Sequence, residues 1–193
     1  MAAPATPTPR LNRDDRRETV LRAGRKEFGE RGYAATRIDD VARAAGVTKP
    51  IVYRHFESKK GLYLALLERH ETDLPTFFAD LGEVPPERLV RTILEGWLDY
   101  VRANGHTWLM LFRDSSGDQE IQEVRLRVSR TAREVLAGFI AHRSPEMPPE
   151  QVAPTAEMLT SGLAGLALWW IDHPDTPKQT VIDVAARVSE PAL

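Results

Sequence analysis

Lys49, Tyr53, Arg54 and His55 crowd one short segment behind a threonine and a proline, in residues 36–56, TRIDDVARAAGVTKPIVYRHF. An ammonium, a phenol, a guanidinium and an imidazole so close together suit phosphate oxygens and base edges better than covalent chemistry. The rest of the chain offers little to catalysis. Its five histidines, His55, His70, His106, His142 and His173, include no H-E-x-x-H pair. No serine sits in a G-x-S-x-G elbow, and no glycine loop has phosphate-binding spacing. Cysteine is absent, which removes thiol nucleophiles, disulfides and iron–sulfur clusters. Glu68, His70, Glu71 and Asp73 form the densest group with metal-ligand chemistry, but Glu71 and Asp73 fall on different helix faces. No catalytic residue, metal or cofactor is expected.

Donors that act together need a scaffold that turns them one way, and the spacing supplies it. Ile38, Val41, Ala42 and Ala45 stand at i, i+3, i+4 and i+7, one apolar face of a short helix. Thr36 precedes it as N-cap, with Asp39 three residues on. Gly46 makes a turn, Thr48 caps a second helix, and Pro50 occupies its first turn, where a missing N–H is harmless. Val41, Val47, Val52 and Phe56 can pin the second helix against the first. Lys49, Pro50, Ile51, Tyr53, Arg54 and His55 are then left for the outer side. This is the layout of a helix-turn-helix, whose second helix enters the DNA major groove. Thr36 and Thr48 place hydroxyls and free backbone N–H groups at helix N-termini, which favour phosphate. Arg37 adds a contact to phosphate or base.

Charge is divided in the same sense. Of 26 Lys and Arg and 28 Asp and Glu, residues 1–60 hold 14 and 8, leaving 12 and 20 for the remainder. A basic head on an acidic body approaches a polyanion with one end.

Tyr33, Thr36, Ala42, Ala45, Gly46, Val47, Tyr53, His55, Phe56, Ser58 and Lys59 together resemble the signature of the tetracycline-repressor (TetR) family of bacterial regulators. The resemblance covers residues 14–67. It implies a homodimeric repressor on a palindromic double-stranded operator, with an N-terminal reader and a C-terminal domain that dimerises and binds a small effector. By the same resemblance Thr36, Tyr53, His55 and Lys59 hold phosphates, while Lys49, Pro50 and Ile51 face base edges. Ile51 offers only apolar contact, suited to a thymine methyl, so Lys49 becomes the main polar reader. Activation rather than repression would follow from where the operator lies, which the protein sequence does not encode.

Proline and glycine punctuate the rest. Residues 1–11 read as a disordered tail, 12–74 as the DNA-binding unit and 75–193 as the regulatory unit. Gly29 and Gly32 end the first helix, Ser58 caps a fourth, and Pro75 kinks or ends it. Helical period without strand alternation predicts an all-α chain of about nine helices. The most apolar run, residues 162–171, is well short of the roughly 18 residues of a membrane span, so a cytoplasmic protein is expected. Trp97, Tyr100, Trp108, Phe112, Met158 and Trp169 are the aromatic and soft residues suited to an apolar effector pocket. Ser161, Gly162 and Gly165 make a strip of small residues that asks for close approach of another helix, within the subunit or across a dimer. Val181, Val184 and Val188 give the last helix an apolar stripe for the same seam.

Overall fold

The computed structural model describes residues 13–79, 84–113 and 116–189, apart from the side chains at 71–79, 86 and 87. Among the described residues the chain forms nine helices and no strand: α1 (Arg13–Ala35), α2 (Ile38–Ala44), α3 (Lys49–His55), α4 (Lys59–Ala79), α5 (Pro86–Ala103), α6 (Gly105–Phe112), α7 (Gln119–Arg143), α8 (Pro149–Asp172) and α9 (Lys178–Ser189). The tail expected at residues 1–11 lies outside the described residues. Among the described residues no helix is long and apolar enough to cross a membrane.

Two helix starts are capped by side chains. Ser58 Oγ accepts from the Gly61 N–H at 2.9 Å, opening α4. The Asp118 carboxylate accepts from the Glu120 and Ile121 N–H groups at 3.1 and 3.3 Å, opening α7. Both satisfy donors that a helix N-terminus leaves bare.

Three expectations about helix ends change. Gly29 does not end α1; it lies inside the helix at the crossing with α6. A Cβ there would stand 2.6 Å from the His106 Cβ and 2.8 Å from its backbone, so only glycine admits the crossing. The break falls at Gly32 instead, with φ at 76°. Thr36 does not cap α2. Its buried hydroxyl donates to the carbonyls of Gly32 and Glu27, at 2.8 and 3.0 Å, tying down the broken end of α1. Arg37 occupies the N-cap position without a side-chain bond. Pro75 does not end α4, whose backbone runs on to Ala79. A boundary between residues 74 and 75 therefore falls within a continuous helix.

The core explains why this boundary is soft. Val20, Phe28, Val41, Val52 and Leu62 pack into one cluster that continues to Met110 of α6 and Ile121 of α7. A second cluster joins Leu98, Trp108, Ala167, Trp170 and Ile182 from α5, α6, α8 and α9. The element α6 belongs to both, and its C-terminal carbonyls are bound from two sides. Tyr63 Oη of α4 donates to Met110 O at 3.1 Å, and Arg125 Nε of α7 donates to Leu111 O at 2.5 Å. These carbonyls have no partner within a helix that ends at Phe112. An ion pair from Arg113 to Asp172 continues the tether to α8.

Beside α6, His70 is 5% exposed, with Nδ1 2.5 Å from Tyr100 Oη. Burial first, and the Arg25 charge second, lower its pKa from 6.5 to about 4. In the unfolded chain the imidazole takes its proton near the ordinary value. Between these two limits the unfolded chain binds more protons, so the stability His70 contributes is complete above the ordinary pKa and is lost as pH falls toward the lowered one. Between pH 7.5 and 5 this group should cost about 2 kcal/mol, read as a fall in urea midpoint. The His70→Asn variant, whose amide can reach the Nδ1 position, should lose that share of the slope. Identical pH slopes in the two proteins would refute the assignment.

Candidate nucleic-acid interface

The angle between α2 and α3 is fixed by backbone chemistry. Gly46 adopts φ 64°, and nothing would meet a Cβ there within 4 Å. Its requirement is therefore conformational rather than steric. Around it Val47 N donates to Ala42 O at 2.9 Å and Gly46 N to Arg43 O at 3.1 Å. This is the paired bonding that closes a helix on a left-handed glycine. Val47 follows directly and packs on the first core cluster. Val52 and Phe56 are buried there too, so α3 has one orientation available.

The opposite side of α3 is open. Thr48, Lys49, Pro50, Tyr53 and Arg54 are exposed, while Ile51 and His55 are half-buried. Thr48 sits at the N-cap in extended backbone with no side-chain cap bond, leaving its hydroxyl for an outside partner. Tyr53, at 43% exposure, is a large ring held in solvent by the helix that carries it. Lys49 Nζ pairs with Asp39 Oδ2 of α2 at 3.0 Å, across the turn. That pair is exposed and thus weak in water, and it holds the ammonium over the outer face. Lys59 is engaged at the base of the unit: its ammonium donates to Ala34 O at 3.3 Å and lies 4.5 Å from the Tyr33 ring centre. The Thr36 hydroxyl is turned inward, so of this residue only the backbone could meet phosphate. Arg37 is exposed at the N-cap of α2.

Sequence reasoning missed a set of cations contributed by α1. His55 is held below the usual imidazole range by burial, then by Arg13, Arg17, Arg54 and Arg16. These guanidinium groups gather at the C-terminal end of α3, and Arg17 stands 5.2 Å over the Phe56 ring. At neutral pH His55 is uncharged among them. The signal lay in the RDDRR run opening α1, but its meeting with α3 is a long-range contact. This end of the molecule therefore offers both a donor-rich outer helix face and a flanking patch of cations, the requirement for binding a duplex by bases and backbone together.

The regulatory residues separate into two groups. Trp97, Tyr100, Trp108 and Phe112 come together: Trp108 stacks on Phe112 at 5.1 Å and meets Trp97 edge-on at 6.3 Å, while Tyr100 joins through His70. Met158 and Trp169 do not join them. Both are exposed on the far face of α8, where Trp169 stacks on His173 at 4.2 Å. That face is one stripe, with Met158, Gly162, Gly165 and Trp169 recurring at helical spacing and Ser161 beside them, all exposed. Val184 and Val188 of α9 are exposed as well. Val181 is not; at 2% exposure it is core between α9 and its neighbours. Among the described residues, no atom of another helix lies within 4 Å of a Cβ placed at Gly162 or Gly165, so no described neighbour packs closely on these glycines.

Residues 20–66 match the model for bacterial regulatory proteins of the tetR family, and residues 85–188 match the tetracyclin repressor-like C-terminal domain. The chain is 35% identical over 107 residues to the HTH-type transcriptional activator FasR of Mycolicibacterium smegmatis, covering 54% of this chain and 49% of that protein. Thus the matched stretch spans about half the length of that relative. It is 28% identical over 163 residues to the HTH-type transcriptional regulator BetI of Stenotrophomonas maltophilia, covering 80% and 79%. A TetR-like transcriptional regulator from Rhodococcus sp. RHA1 has the same fold, with a TM-score of 0.74 at 24% identity over 94% of this chain and 96% of that one.

Proposed function

The chain belongs to the tetR family of bacterial regulatory proteins, and from that premise we propose that it is a homodimeric, sequence-specific repressor of transcription, released from a palindromic operator by a small, largely apolar effector. The observation that carries the DNA-binding part is the outer face of α3, where Thr48, Lys49, Pro50, Tyr53 and Arg54 are exposed on a helix fixed by Val52 and Phe56. In this reading Lys49, Pro50 and Ile51 meet base edges. Tyr53, His55 and Lys59, with Arg13, Arg16, Arg17 and Arg54 flanking, meet phosphates. The two-fold partner docks on the exposed stripe of α8 and on Val184 and Val188, and sets the recognition helices about 34–36 Å apart for successive major grooves. The aromatic group around Trp108 faces the effector, which draws the population toward a state with another spacing by no more than its differential affinity.

Selection from a random DNA pool tests the proposal directly. A palindrome with half-sites one helical turn apart should be enriched, and binding should weaken steeply with salt. Lys49→Ala should relax preference at one base position by roughly 1–3 kcal/mol, whereas Lys59→Ala should weaken every sequence alike and lower the salt slope by about 1. No enrichment, with no salt dependence, would remove the reading. Activation is a second reading favoured by one observation, the name of the 35% identical relative FasR as an activator. Loss of the protein would then lower rather than raise transcription of its target.

A further inference from the structure

We infer that the junction of α1 with α5 and α6, at Arg25 and Trp108, binds the carboxylate of an effector whose apolar body lies along Trp97 and Phe112. This rests on the reading of the protein as an effector-responsive regulator and adds the chemical class of the effector. Two donors carry it. Trp108 is 7% exposed, and its indole N–H has no acceptor. Arg25 Nε is buried and has none either. Buried donors without partners are rare, because burial removes the water that would serve them.

Asn104 ties the two residues that carry these donors to one another. Arg25 Nη1 donates to Asn104 Oδ1 at 3.2 Å, and the Trp108 backbone N–H donates to Asn104 O at 3.2 Å. Asn104 is itself held by Nδ2 to Tyr100 O at 3.0 Å. The His70 ring lies 6.1 Å from Trp108 and within the field of Arg25. Here, then, is a half-buried guanidinium with no carboxylate partner among the described residues. Elsewhere Arg69, Arg91, Arg113 and Arg133 all pair with acids. One cationic N–H and one neutral N–H, both buried and both lacking an acceptor, match one negative charge shared over two oxygens, which is a carboxylate rather than a phosphate dianion. The walls beyond are the stacked rings of Trp108 and Phe112 with Trp97 edge-on, and Phe112 is 39% exposed at the outer end.

The position matters for the switch. Arg25 lies one helical turn before Gly29, on the side of α1 that meets α6 at His106. A ligand held by Arg25 and Trp108 bridges α1 of the DNA-binding unit to α6, beside the contact that α4 makes with α6 through Tyr63.

The test uses the full chain and two probe pairs, 4-phenylbutanoate against 4-phenyl-1-butanol and decanoate against decanol. Binding is followed by calorimetry and tryptophan fluorescence. Each carboxylate should bind at least about tenfold more tightly than its alcohol, a ratio worth about 1.4 kcal/mol. Arg25→Gln should abolish that preference while leaving alcohol binding unchanged. Trp108→Phe, which keeps a ring and removes the N–H, should reduce the preference and serves if Arg25→Gln does not fold. Equal binding of acid and alcohol, or no saturable binding by about 10 mM, overturns the inference, the donors then holding water only. Operator binding, measured in parallel, separates the two readings. Arg25-dependent carboxylate binding that leaves operator affinity unchanged keeps this site and removes effector release. Release by an uncharged compound alone keeps release and removes the site.

Discussion

With Gly162 and Gly165 both changed to Gln, the protein will sediment as a monomer, and its affinity for a two-half-site operator will fall on the order of a thousandfold. The magnitude follows from the physics of linked sites, in which a tethered second contact raises affinity by about 10²–10⁴ over either contact alone. Within the subunit the change should be harmless. A Cβ at either position meets nothing, and both residues sit in the middle of α8, where glycine weakens a helix by about 0.5–1 kcal/mol relative to alanine. The isolated subunit should therefore be no less stable than before. Binding to a single half-site should be unchanged, because the core cluster that holds α3 through Val52 and Phe56 contains no residue of α8. Analytical ultracentrifugation, with fluorescence anisotropy on whole and half operators, reads all three outcomes. A double variant that remains dimeric would show that the exposed stripe from Met158 to Trp169 is not the seam.

That stripe also marks the limit of what the sequence could tell. Local signals were legible because their causes are local. Gly46 must turn where backbone bonds from Val47 to Ala42 and from Gly46 to Arg43 close the helix, and the glycine sits beside its own consequence. Ser58 caps the helix it precedes. The outward side of α3 followed from the burial of Val52 and Phe56, which the spacing implied. Elsewhere packing overrides what residue type alone suggests. Gly29 has the residue type of a terminator, but its partner, the backbone of His106, is invisible to local spacing. Thr36 has the residue type of a cap, but its hydroxyl serves carbonyls of the preceding helix. Met158 and Trp169 were grouped with the pocket aromatics by composition, while their spacing with Gly162 and Gly165 already put all four on one face. Val181, Val184 and Val188 stand at i, i+3 and i+7 on one side of α9, and burial alone separates Val181, which is core near the start of the helix, from the two that are exposed.

Tyr63→Ala should cost about 3–5 kcal/mol, the range for removing a large buried side chain and leaving its space unfilled. The Tyr63 side chain joins α1, α4 and α6. Tyr63 is fully buried in α4, edge-on to Phe28 at 5.0 Å and to Tyr33 at 5.1 Å, both of α1. Its hydroxyl reaches Met110 O near the end of α6. Removing the ring therefore loosens the reader from α4, and α4 from α6, in one step. Against a typical total of about 5–15 kcal/mol the loss is large, and urea unfolding should show it as a lower midpoint. Tyr63→Phe divides the two contributions. It keeps all ring contacts and leaves one buried carbonyl short of a partner, so the cost should be about 1–3 kcal/mol. The Phe variant should still bind operator with wild-type affinity, because the α1–α3 packing is intact, while its effector-induced loss of affinity is reduced. The reason is mechanical: Met110 O is where α4, which leaves the DNA unit, grips the helix that carries Trp108. If Tyr63→Phe responds to effector as the parent does, coupling does not pass through that hydrogen bond, and the direct contact of α1 with α6 at Gly29 and His106 must carry it instead.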